Sequence, residues 1–177
     1  MMKTKHLVLL SILIALSIVL NWMENVFFPW TVLPVPGAKL GLANAVFLIL
    51  LLVDGMVTAL TVSVLRVLIL ALFTGTLATV MLPLSLGGAV ASVLLMQLVW
   101  FVCRERVSLI GLSIVGAVGH NLGQLTVLSF LPGLFPGLTA LYYILPGLLL
   151  LSVPAGMITG WIAKHIYPVI KREWEEQ

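Results

Sequence analysis

Charge is scarce in this sequence. Lys and Arg together number 9 and Asp and Glu 6, so charged residues make up only 8% of 177 positions. A soluble domain spends about 25% of its residues on charge, because water must wet its surface. So little charge excludes an ordinary water-facing globule. Aspartate is scarcer still: Asp54 stands alone, so there is no aspartate-rich pair of the kind that holds magnesium diphosphates. No Gly-x-x-x-x-Gly-Lys-Ser/Thr loop occurs, which excludes a P-loop nucleotide site. The single cysteine, Cys103, makes neither a disulfide framework nor a zinc site, and reads as a small apolar residue. The histidines and carboxylates are not spaced for a metal, so none is expected. The net charge of +3 comes from few, scattered basic residues, which excludes a nucleic-acid partner.

What is present is apolar: 62% of the chain, in blocks of membrane length. The expected fold is therefore an all-α integral membrane protein with six transmembrane helices in one domain over residues 1–177. The spacing predicts helices over about 7–23, 39–53, 56–73, 83–103, 107–131 and 138–163, with a charged tail over 164–177. The connection 24–38 is long, with Pro29, Pro34, Pro36 and Gly37 among apolar and aromatic residues. The start, Met1-Met2-Lys3-Thr4-Lys5-His6, resembles a signal peptide, but no small-residue cleavage site follows. It is read as a retained first helix.

Six helices put both termini on one side. Lys3, Lys5, Arg104, Arg106, Lys164, Lys171 and Arg172 share that side, and only Lys39 falls at the other. Cytoplasmic loops carry the excess of Lys and Arg. The expectation is a multi-pass plasma-membrane protein with both ends in the cytoplasm.

Polar side chains inside a span are costly, so each is a functional candidate. Arg66 lies twelve residues past Asp54, about 18 Å in from the cytoplasmic side. His120 lies fourteen past Arg106, about 21 Å in, with Asn121 and Gln124 beside it. Lys39 opens the second helix on the outer side and Asn44 follows one turn or so below. These six are expected to meet in one cavity open to the outside. Gln97, near the cytoplasmic end of its helix, is left out. Each candidate has a structural alternative: a structural partner for Arg66, an interface anchor for Lys39, interhelical hydrogen bonds for His120, Asn121 and Gln124. Gly116, Gly119 and Gly123 allow close approach of a ligand or a helix. Two cations and several amides suit a small-molecule ligand with an anionic or carbonyl-rich head. No energy-coupling motif is present, so transport needs a partner or an ion gradient.

The run Pro34-Val35-Pro36-Gly37-Ala38-Lys39-Leu40-Gly41-Leu42-Ala43-Asn44, with Gly119-His120-Asn121, resembles the Gx transporter family, also labelled heptaprenyl diphosphate synthase component I. That family in turn resembles the S-components of energy-coupling factor (ECF) transporters, which are six-helix substrate-binding proteins. The resemblance implies that the 24–38 loop gates the outward pocket. It implies a transmembrane coupling subunit and cytoplasmic ATPases as partners, contacted through Ser11 and Ala15, the small-x-x-x-small match in helix one. It makes an isoprenoid-, quinone- or flavin-related ligand plausible. Without acidic clusters for magnesium, prenyl-chain synthesis is not expected, and the chain is read as neither an enzyme nor a cofactor carrier. The alternatives are a non-catalytic membrane subunit tied to prenyl diphosphate or quinone biosynthesis, and a structural subunit of an electron-transfer complex.

Overall fold

A computed structural model describes residues 4–27, 41–131 and 138–176. Six α-helices form there, and no strand occurs among the described residues: α1 Thr4–Phe27, α2 Asn44–Val53, α3 Met56–Thr74, α4 Met81–Cys103, α5 Leu109–Ser129 and α6 Leu138–Glu175. One 3-10 turn, Arg104–Arg106, joins α4 to α5. The lipid-facing character is direct. Trp22 and Val26 on α1, Phe73 on α3, Phe101 and Val102 on α4, and Leu150 and Trp161 on α6 all lie exposed. A soluble monomer does not display so much apolar surface.

Four helical segments are long and apolar enough to cross a membrane: Thr4–Glu24, Met56–Thr74, Met81–Cys103 and Leu145–Glu175. The other two depart from a simple six-span picture for different reasons. α5 has 21 residues, about 31 Å, which is sufficient length. Its His, Asn, Gln and glycines dilute its apolar character. α2 has only 10 residues, about 15 Å, or half a bilayer core.

α2 explains the architecture. Asn44 through Leu51 are all buried, and α2 touches each of the other five helices. A helix that is apolar on every side belongs in a core. Phe47, Leu48, Ile49 and Leu50 anchor the main cluster, with Leu13, Val62, Val93, Met96 and Leu112 around them.

Turn chemistry ends the helices where the sequence breaks. The Asp54 and Gly55 amides both return to the Leu50 carbonyl and close α2. Gly75 takes a left-handed conformation (φ 68°) after α3, and the Thr76 amide reaches back to the Ala71 carbonyl at 2.9 Å. This is the Schellman pattern that glycine permits. Ser108 caps α5 through Gly111 N–H at 3.0 Å.

Three helices pack as a tight layer, α4 against α5 against α6. Small residues make this possible. A Cβ on Gly119 would lie 3.1 Å from the Ala91 carbonyl oxygen, and one on Gly160 2.6 Å from Ile110 Cα. Backbones at that distance leave room only for glycine. The α5–α6 seam is also tied by polar pairs, Ser113 Oγ to Thr159 Oγ1 at 2.6 Å and Asn121 Nδ2 to Ser152 Oγ at 2.8 Å.

Both terminal helices meet at one end of the bundle. His6 of α1 stacks edge-on against Trp174 of α6, with ring centroids 4.3 Å apart. His6 Nε2 also lies 3.5 Å from Asp54 at the α2–α3 turn. Residues 164–175 continue α6 without a break past Pro168, and Ile166, Tyr167, Ile170 and Trp174 lie against the main core.

Candidate functional site

The site is built where α2 begins. The chain enters α2 through Gly41, whose φ of 79° is open to glycine and strained for most residues. This turn points the Gly41 and Leu42 amides at α1. There the Glu24 carboxylate accepts both, Gly41 N–H at 2.6 Å and Leu42 N–H at 3.2 Å. Glu24 is 1% exposed. The sequence places it at the start of a connection, but α1 runs on to Phe27. The longer helix brings the acid into the interior.

Arg66 of α3 is 3% exposed. Its guanidinium lies over the Phe47 ring at 5.0 Å, a cation–π contact that substitutes for part of the lost hydration. Glu24 attracts it electrostatically. Its Nε nonetheless has no hydrogen-bond partner among the described residues, and the same holds for Asn44 Nδ2. Asn44 and Phe47 are three apart on α2, so they share a face. Asn44 also folds back over the turn, with Nδ2 only 2.7 Å from where a Gly41 Cβ would stand. Glu24, Gly41, Asn44, Phe47 and Arg66 therefore form one group.

A second group lies on α5. His120 and Gln124 are buried and press on Gly88 of α4: a Cβ there would meet His120 Cε1 and Gln124 Cγ, each at 2.9 Å. Asn121 points elsewhere, because adjacent helical residues are about 100° apart. It donates to Ser152 of α6, and its Oδ1 has no partner among the described residues. The sequence puts these three on one broad face; in the structure that face divides between α4 and α6.

The six expected residues thus have distinct placements. Asn44 and Arg66 belong to the first group. His120 and Gln124 face α4, and Asn121 faces α6. Lys39 and most of the 24–38 loop lie outside the described residues. Ser11 and Ala15 are exposed on α1, and the Ser11 hydroxyl is bonded to its own helix at Leu7 O, 2.8 Å. Gln97 is half-buried. Among the described residues no group of three His, Cys, Asp or Glu side chains could hold a metal.

Four contributors are not among the residues expected from sequence: Glu24, Phe47, Gly88 and Ser152. Glu24 was visible as an acid near the outer boundary. The Gly87-Gly88 pair in an apolar span was a signal for close packing.

Buried orphan donors are rare and costly, about 1–3 kcal/mol each. In a membrane protein, polar groups buried at depth make a site a functional candidate. The class is therefore a multi-pass helical membrane protein with a buried, charge-bearing site beside a central half-length helix. The sequence model for heptaprenyl diphosphate synthase component I matches residues 13–166. The chain belongs to that family. No curated protein and no solved structure matches it.

Proposed function

We propose that this chain is the substrate-binding membrane subunit of a transporter, similar to the S-components of ECF transporters. It crosses the plasma membrane with both termini in the cytoplasm. It takes a small organic ligand, isoprenoid-, quinone- or flavin-related, from the outer side, where the 24–38 loop gates the site. Asn44 and Arg66 hold the ligand's polar head, with Lys39, His120, Asn121 and Gln124 contributing.

One observation carries the reading. Arg66 and Asn44 each bury a donor that no described residue satisfies, Asn44 at the start of α2 and Arg66 over Phe47 one turn further along it. A scaffold protein gains nothing from orphan donors, whereas a binding protein uses them when its ligand arrives. The family's name, in speaking of a component, fits a protein that works with other subunits. Under this reading the exposed face of α1 around Ser11 and Ala15 receives a coupling subunit attached to ATPases.

Co-purification from membranes in mild detergent tests the proposal against its rival. ATPase-bearing partners that are lost on Ser11→Leu and Ala15→Leu support it. A soluble prenyl synthase as the sole stable partner supports instead a non-catalytic subunit of prenyl or quinone synthesis.

A further inference from the structure

Glu24 has a role that a site for an anionic head does not by itself require. It is a carboxylate placed where a ligand's own anion would be drawn: against two amides at the entrance to α2 and within the field of Arg66. The two amides donate to it as charge-assisted hydrogen bonds, and the guanidinium attracts it. Glu24 thus offsets the charge of Arg66. Even counting Lys39, two residues before Gly41 in the sequence, the cations exceed Glu24 by a single charge.

Building on the proposed function, we propose that Glu24 is a specificity-determining residue, and that the site accepts a head with at most one negative charge: a carboxylate, or a neutral group with carbonyl acceptors. An oxyanion or a carbonyl supplies the kind of acceptor that Arg66 Nε and Asn44 Nδ2, two buried donors of this group, lack among the described residues. A diphosphate head cannot be accommodated in the same way. Its second and third charges would face Glu24 in a water-poor interior with no cation left to balance them. Among the described residues no cluster of acids could anchor magnesium for such a head, so any ion would have to enter already chelated by the diphosphate. The residue therefore separates this chain's ligand from the prenyl diphosphates that its family name mentions.

The test uses a matched series with one ten-carbon body: geraniol, geranate and geranyl diphosphate, the last with and without magnesium. Binding to the purified full chain is read by tryptophan fluorescence, for wild type, Glu24→Gln, Glu24→Asp and Arg66→Gln. Wild type should bind geranate at least about 10-fold tighter than geranyl diphosphate. Glu24→Gln should shift that ratio towards the diphosphate by about 10-fold or more. Glu24→Asp keeps the charge and should leave the ratio within about 3-fold, which separates charge from hydrogen-bond geometry. Arg66→Gln should abolish geranate binding. An Arg66-dependent preference of wild type for the diphosphate overturns the proposal while leaving a binding subunit standing, and so does a ratio that Glu24→Gln leaves unchanged. Absence of binding by all three probes to every form removes the isoprenoid reading, and the charge rule with it.

Discussion

Replacing Gly123 with alanine should push α4 and α5 apart. A Cβ at that position would sit 2.6 Å from Ala91 Cβ and closer still to the Gly87 carbonyl oxygen. Carbon atoms in good contact are about 3.5–4.0 Å apart, so the shortfall is about 1 Å. The obstructing oxygen is backbone and cannot rotate away, so a helix has to move. Overpacking of this kind costs about 1–3 kcal/mol. Alanine's better helix propensity returns about 0.5–1 kcal/mol. The net loss is up to about 2.5 kcal/mol, and at the middle of both ranges about 1 kcal/mol, a drop of a few degrees in Tm for a chain of this size. Gly147 of α6 is the control, because nothing lies within 4 Å of its ideal Cβ; Gly147→Ala should stabilise by about 0.5–1 kcal/mol. Thermal unfolding in detergent, followed by tryptophan fluorescence, measures both. A Gly123→Ala protein that melts at or above wild type would refute the close α4–α5 contact, and the placement of His120 that depends on it.

Three further outcomes are expected. A double-mutant cycle of Ser113→Ala and Thr159→Val should return a coupling of about 0.6 kcal/mol, and no more than about 1.7, as interhelical bonds in membranes do; zero coupling contradicts the 2.6 Å pair. Gly88→Ala should weaken ligand binding more than it lowers Tm, because its Cβ would meet the His120 ring and the Gln124 side chain rather than backbone; equal loss in a packing control such as Gly119→Ala argues that His120 is only structural. His6→Ala should speed amide exchange over 164–176, since it removes both the Trp174 and the Asp54 contact, and unchanged exchange shows that the tail is held by its apolar face alone.

The helical membrane class was legible because charge cannot be hidden: 8% charged residues leave no other surface. The burial of Asn44, Arg66, His120, Asn121 and Gln124 was legible for the same reason, since lipid tolerates none of them. The interior position of α2 was not. In water an apolar stripe shows which side of a helix is buried, but in a bilayer lipid-facing and core-facing residues are both apolar. The stretch 39–53 thus reads as one more span, and only its shortness hints at an interior position. Glu24 was misplaced because a carboxylate next to proline-bearing sequence looks like the end of a helix. Its two amide bonds arise from residues seventeen and eighteen positions away, which no local pattern reveals. The split between His120 and Asn121 depended on which neighbours α5 has on either side, and that is a property of packing.

In the proposed function Arg66 and Asn44 await a ligand. Native mass spectrometry of the protein released from lipid nanodiscs tests this most directly, comparing wild type with Arg66→Ala, His120→Ala and the double variant. Wild type should carry a bound small molecule that is reduced by either substitution and lost from the double variant. The same adduct on all four proteins would contradict it.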